Sequence, residues 1–171
     1  MPHLIVVVDY DPKWPEQFEA LRAPIGGALG DLAAAIEHIG STAVPGLAAK
    51  PVIDIDVLLS SGDRLQEAIK RLVPLGYAHE GNLGIVGREA FSQPPGQPAH
   101  HLYVCAPDSR EYGRHIAFRD YLRAHPERAR VYGELKRTLA KLYDKDPDGY
   151  TNGKDEFVNE TLRRAMPVTQ G

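Results

Sequence analysis

The chain has 171 residues, 43% of them hydrophobic and 25% charged, which is the balance of a globular protein and excludes a wholly disordered, collagenous or coiled-coil chain. Twenty Lys and Arg against twenty-three Asp and Glu leave a net charge of −3, so no global basic field marks a nucleic-acid binder, and any phosphate site must be local. The lone Cys105 excludes an internal disulfide, a cysteine zinc cluster and a CxxC redox pair and agrees with a cytoplasmic location, while the apolar run Leu4 to Val8 is too short for a signal-peptide core or a membrane span of roughly 20 residues.

Leu4 to Val8 is rich in β-branched residues and is closed by Asp9-Tyr-Asp-Pro12, which predicts a strand and a turn. Asp11 then caps a helix in which Trp14, Phe18, Leu21 and Ile25 recur at helical spacing, with Glu16 and Glu19 near its positive end and Pro24 as a kink or break. Leu29, Leu32, Ala33 and Ile36 extend that face into a second helical piece, and a short β-compatible stretch, Ile36 to Ile39, ends at Gly40-Ser41-Thr42. Val44 to Lys50 suits a tight turn and one helical turn before Pro51. Val52 to Leu59 is an apolar strand interrupted only by Asp54 and Asp56. Ser60 to Asp63 then caps a helix carrying Leu65, Ile69, Leu72 and Val73, which Gly76 stops.

Strands are predicted at Tyr77 to His79, Leu83 to Phe91 and His101 to Cys105, with the polar, proline-rich Ser92 to Ala99 as a mobile flap. The remainder reads as helices over Glu111 to Ala124, Pro126 to Tyr143 and Asn152 to Met166, with Val131, Leu135, Leu139 and Leu142 as a core stripe. No repeat and no long linker divides the chain. The expectation is one α+β domain over residues 1–171, its C-terminal helices packed on or beside a small mixed β-sheet.

Asp54 and Asp56 carry the most chemical information. A strand projects residues i and i+2 onto one face about 6.5–7 Å apart, so the two carboxylates converge while Ile53, Ile55 and Val57 point into the core. Two acids on an apolar strand are costly unless compensated, and Mg²⁺, a hard cation that takes oxygen ligands and travels with phosphates, compensates them; the alternative is a solvated strand end that binds nothing. Upstream, Gly40 permits close backbone approach and Ser41 offers a hydroxyl and an amide to phosphate oxygens, unless the pair is an ordinary turn.

A Gly-Ser turn followed by an Asp-x-Asp strand resembles the signature of the nucleotidyltransferase superfamily. The longer stretch Ile36-Glu-His-Ile-Gly-Ser-Thr-Ala-Val-Pro-Gly-Leu-Ala-Ala-Lys-Pro-Val-Ile-Asp-Ile-Asp56 resembles the GrpB family, as do Tyr10 to Phe18, His115 to Pro126, Tyr132 to Lys136 and Tyr150 to Lys154. The resemblance implies a nucleotidyltransferase-like αβαβ core with appended helices. By the same resemblance Asp54 and Asp56 hold Mg²⁺, and the Gly40-Ser41 turn holds the triphosphate of a nucleotide. Relatives fused to dephospho-coenzyme A kinase suggest an alternative, a non-catalytic module that binds a nucleotide or a phosphorylated small molecule. For the superfamily's third carboxylate the candidate is Glu89; His101 is a further possible metal ligand, although Tyr103 stands where the family tends to carry a second histidine.

The other candidates each admit a structural role as well. His38 hydrogen-bonds a phosphate or a carboxylate, or else fixes the loop. Lys50 neutralises Asp54 or reaches a phosphate, or is a solvated helix end. Arg88 is a phosphate clamp or a structural ion-pair partner. Arg119 and Arg123, four apart on one helix face, and Lys136 close a phosphate site, or form a solvated face. Lys154 lies near a predicted helix start, where a cation is unfavourable without an anion. The expected partner is a nucleoside triphosphate or a phosphorylated small molecule, with neither membrane nor nucleic acid.

Overall fold

The computed structural model describes residues 4–167. Five strands form one mixed sheet: β1 (Ala33–Ile39), β2 (Ile53–Leu59), β3 (Ala78–Gly81), β4 (Arg88–Ser92) and β5 (His100–Cys105), in the spatial order β1-β2-β5-β4-β3. β2 and β5 are parallel and the other neighbours antiparallel. Helices α1 (Trp14–Leu29) and α2 (Leu65–Leu72) cover one face, where Phe18, Leu21, Ile25 and Leu72 pack on Ile53, Ile55, Val57, Leu102 and Val104. On the other side lie α3 (Arg110–Ala124), α4 (Pro126–Leu142) and α5 (Pro147–Ala165), held by Leu122, Ala129, Tyr132 and Phe157 against Val44 and Leu47. Among the described residues no helix is long and apolar enough to cross a membrane.

Several elements differ from the sequence expectation. Leu4 to Val8 adds no strand to the sheet: Val8 makes a single bridge to Ala49, while Ile5 and Val7 pack on Leu139 and Tyr150. Pro24 does not break α1, because Leu21, Ile25 and Leu29 bury the opposite side and hold the helix through it. The second helical piece shrinks to one 3₁₀ turn at Gly30–Leu32, with Leu32 buried. α1 ends at Gly30 with φ +56°, and Ala33 to Ile36 enter β1, where pairing with Leu59 to Val57 overrides the helical preference of an alanine run. The expected tight turn forms at Val44 to Leu47, where the Leu47 amide donates to the Val44 carbonyl and Gly46 takes φ +81°, while the helical turn lies upstream as a 3₁₀ turn at Ser41–Ala43, with Val44 and Leu47 buried behind it. β4 begins only at Arg88, since Leu83, Gly84 and Gly87 adopt positive φ.

α4 turns a different face inward from the one expected. Val131 and Leu142 are 44% and 68% exposed, and the buried side is Ala129, Tyr132, Gly133, Lys136, Leu139 and Ala140. Gly133 packs on Leu47 and Ala48 and fixes this rotation, which places Lys136 inside. The expected flap is tied down by Gln93, whose Oε1 accepts from the His100 amide and whose Nε2 donates to the Gln97 carbonyl. α5 starts earlier than expected, capped by Asp146, which accepts from the Gly149 amide, so Lys154 lies well inside the helix and not at its start.

Candidate functional site

β2 presents Ile53, Ile55 and Val57 to the α1–α2 core and Asp54 and Asp56 to the other face, as a period of two requires. Asp54 lies at the rim and Asp56 is fully buried. Each carboxylate carries an imidazole. His101 Nδ1 is 2.8 Å from Asp54 Oδ1, and His115 Nδ1, on α3, is 2.7 Å from Asp56 Oδ2. The other nitrogen of His115 lies 3.1 Å from Glu111 Oε1, so both ring nitrogens face carboxylates and both donate, which is the imidazolium form. Burial opposes that charge, but the hydrogen bonds that the ring donates to Asp56 and Glu111 outweigh it and lift the His115 pKa to about 9. Burial pushes the Asp56 carboxyl up against the opposing pull of His115. The hydrogen bond to Asp54 likewise raises His101. Asp56 Oδ1 is buried with no partner.

Gly40 ends β1 at φ +76°, and a Cβ there would collide with Asp54 Oδ2, so only glycine lets the turn lie against the carboxylate. The turn opens onto a cleft of about 440 Å³ lined by Gly40, Ser41, Lys50, Asp54, Arg88, His101, Tyr103, Lys136 and Lys154, with Glu111 and His115 on its α3 wall. Opposite the carboxylates the wall is cationic. Lys136 Nζ sits 4.6 Å from the Tyr132 ring centre, and Lys50 Nζ and Lys154 Nζ sit 4.9 Å and 4.6 Å from that of Tyr150. Lys136 is 2% exposed and its Nζ has no hydrogen-bond partner. Burial and then the charges of Lys154 and Lys50 lower its pKa to about 7, and burial with Lys50 lowers that of Lys154 to about 8. Among the described residues, the other buried side-chain atoms without a partner, Arg88 Nε and Tyr150 Oη, belong to residues lining the same cleft.

Eight sequence candidates converge on one cleft: Gly40, Ser41, Lys50, Asp54, Arg88, His101, Lys136 and Lys154. Asp56 is fully buried and does not line the cleft, but its Oδ2 is bound to His115 of the cleft wall. Four others lie elsewhere. Glu89 pairs with Val104, and therefore projects to the α1–α2 face, where its Oε2 lies 2.9 Å from His79 Nε2; it is no third carboxylate. His38 pairs with Ile55 on that face, stacks on Phe18 and donates from Nε2 to Thr42 Oγ1, which in turn donates to the Val52 carbonyl. Burial, then Arg123, lowers the His38 pKa to about 4, so it stays neutral and braces the turn. Arg119 donates to Glu37 and the His38 carbonyl, and Arg123 to the Ala43 carbonyl. These two arginines bracket the Gly40–Thr42 turn from behind instead of facing the cleft.

The donor set suits a hard cation. Asp54 and Asp56 present only oxygen, and one oxygen is buried and orphaned, but no group of three or more His, Cys, Asp or Glu able to hold a metal occurs among the described residues. Two carboxylates that leave coordination positions to phosphates and water fit Mg²⁺ better than a resident structural metal. Sequence reasoning missed His115 and Glu111. Their spacing of four on one helix was visible, but the Asp56 partner comes from a distant strand.

The GrpB protein family matches residues 4–164. A UPF0157 protein of Pseudomonas aeruginosa is 42% identical over 97% of this chain and 69% of its own length. The UPF0157 protein YqkA of Bacillus subtilis is 34% identical over 98% of the chain, which spans 49% of that protein. A dephospho-CoA kinase of Mycolicibacterium paratuberculosis is 28% identical over 93% of the chain, which spans 45% of it. Among solved structures, the conserved protein GrpB from Enterococcus faecalis matches with a TM-score of 0.85 and 36% identity, over 94% of this chain and 96% of that one. The GLD-2/RNP-8 complex matches at 0.60 with 13% identity, over 85% of this chain and 51% of that one. The Cid1 poly(U) polymerase in its MgGTP-bound structure matches at 0.52 with 15% identity, over 80% and 44%. At such identities the last two show the fold alone, and that fold is nucleotidyltransferase-like.

Proposed function

The chain belongs to the GrpB family, and from that premise we propose that its cleft binds a nucleoside triphosphate with Mg²⁺ and supports nucleotidyl transfer. The observation that carries this reading is the cationic wall. Lys50, Lys136 and Lys154 come from three different segments, converge across from Asp54 and the Gly40-Ser41 turn, and form no ion pair with a carboxylate among the described residues. Clustering three ammonium groups, one of them buried, is unfavourable without an anion of matching charge. The lysines and Ser41 hold phosphate oxygens, Gly40 lets the backbone approach them, and Arg88 covers the carboxylate end. Mg²⁺ bound at Asp54 and Asp56 would supply charge neutralisation at the phosphate that is attacked. The protein's own share is positioning.

A second reading rests on one specific observation. On the Asp54–Asp56 face, β4 and β5 present Arg88, Ala90, His101, Tyr103 and Cys105 and no carboxylate, and the acid on the α3 wall, Glu111, is held by His115. A module that binds a nucleotide or phosphorylated metabolite without turning it over fits that face, and the dephospho-CoA kinase of which the chain spans less than half is a setting for such a module. Thermal unfolding with ATP, CTP, GTP or UTP, each with and without Mg²⁺, tests the shared claim in the parent and in an Asp54→Asn, Asp56→Asn double variant. A ligand at 100 times its Kd adds about 2.7 kcal/mol. We expect a Mg²⁺-dependent shift in the parent that the double variant loses, and no shift with any nucleotide would sink the reading. Pyrophosphate release in the same mixtures separates transfer from binding.

A further inference from the structure

Beyond the cleft, α3 and α5 border an open groove of about 360 Å³ lined by Arg110, Arg114, Asn159, Leu162, Arg163 and Met166. Its lining holds three guanidinium groups and no acid. Arg110 and Arg163 form no ion pair among the described residues. Arg114 has Glu111 at 3.7 Å, but His115 holds that carboxylate more closely, at 3.1 Å. Glu160, one turn before Arg163 on α5, is taken by Arg128 and Arg164. α3 gains nothing from this arrangement. Arg110 is its first residue, at the positive end of its dipole, and Arg114 lies four residues on, a like-charge pair on one helix face. Only Arg163, in the last turn of α5, suits its own helix.

The groove is distinct from the lysine wall. Lys154 and Leu162 stand eight residues apart on α5, about 12 Å of helix rise, so phosphates held by the lysines leave the arginines unmatched. Arg114 and Leu162 nevertheless line both the groove and the cleft, so a ligand on the arginines adjoins whatever the cleft holds. We infer that the groove is a second binding site, for a small molecule that carries a phosphate monoester. Arg110, Arg114 and Arg163 take the phosphate, and Leu162 and Met166 lie against its ester group. Charge selects the class. With Glu111 set against Arg114, two guanidinium charges are left over, and a phosphate monoester carries about −1.5 to −2 at pH 7, whereas a carboxylate carries a single charge. The planar guanidinium fork also matches pairs of phosphate oxygens. The lysines and aspartates take no part in this site, so it stands apart from the nucleotide reading.

Calorimetric titration of phenyl phosphate tests it in the parent, in Arg110→Gln, Arg163→Gln and in Lys50→Met, Lys136→Met, Lys154→Met. Both arginines are exposed, so their double variant is expected to fold as the parent does. The expected result is a site that the lysine variant keeps and that the arginine variant weakens at least about tenfold. Phenyl phosphate binding that disappears with the lysines and survives without the arginines overturns this inference and leaves the nucleotide reading standing. Benzoate bound as tightly as phenyl phosphate overturns the assignment to a phosphate. A single-stranded RNA whose binding needs the arginines, where phenyl phosphate does not bind, overturns it in favour of a phosphodiester backbone.

Discussion

The two faces of β2 obey opposite rules. Ile53, Ile55 and Val57 are at most 1% exposed and fill the α1–α2 core, where burial of apolar surface is favourable in itself. Asp56, one residue away, is equally inaccessible, yet it keeps one oxygen unpartnered and a charged ring against the other. The first face explains why the sheet is stable. The second holds groups that stability alone would not select, and the contrast locates function more sharply than burial or charge does separately.

Breaking the apolar face should have the largest effect. Ile55→Ala is expected to cost about 2–5 kcal/mol of stability in urea unfolding, with nucleotide affinity of the folded protein retained; a cost under about 1 kcal/mol would contradict the packing described. On the cleft side the sign reverses. Lys136 is buried with its pKa lowered to about 7, so folding is penalised at any pH below that value, and the penalty fades as pH rises toward the unfolded value near 10.4. Lys136→Met is therefore expected to gain roughly 2–4 kcal/mol at pH 6, a gain that shrinks by pH 10, while nucleotide affinity falls.

His115 sharpens the comparison through its pH dependence. Its folded pKa of about 9 exceeds the ordinary 6.5, so its contribution is fully present below pH 6.5 and is lost as pH rises through about 9. The stability difference between the parent and His115→Asn should then shrink by about 3 kcal/mol across that window. A difference independent of pH would refute the imidazolium bridge. The smallest effect belongs to Val131, which the rotation of α4 leaves exposed: Val131→Ser should change stability by no more than about 0.5 kcal/mol, whereas a core residue would lose several times that.

Those contrasts also mark how far the sequence could be read. The alternation Ile-Asp-Ile-Asp-Val reveals both faces of β2 because a strand has a period of two, and Gly40 beside Ser41 reveals the turn because positive φ favours glycine. The cationic wall was not legible as a wall. Lys50, Lys136 and Lys154 sit on a loop and two helices, and only tertiary packing brings them to the two tyrosine rings. Glu89 shows how strand parity decides a role: it alternates with Arg88, and pairing with Val104 sends it to the wrong face. Ala33 to Ile36 read as helix because alanine favours helices locally, and pairing along β2 decides otherwise.

The central claim is that the unpaired lysines face a polyphosphate and that the two aspartates hold its cation. Calorimetric titration of α,β-methylene-ATP with Mg²⁺ into the parent, into Lys50→Met, Lys136→Met, Lys154→Met and into Asp54→Asn, Asp56→Asn tests it most directly. Binding in the parent is expected to fall at least about 100-fold in the lysine variant, corresponding to about 2.7 kcal/mol, and to lose its dependence on Mg²⁺ in the aspartate variant. Equal affinity in all three proteins would contradict it.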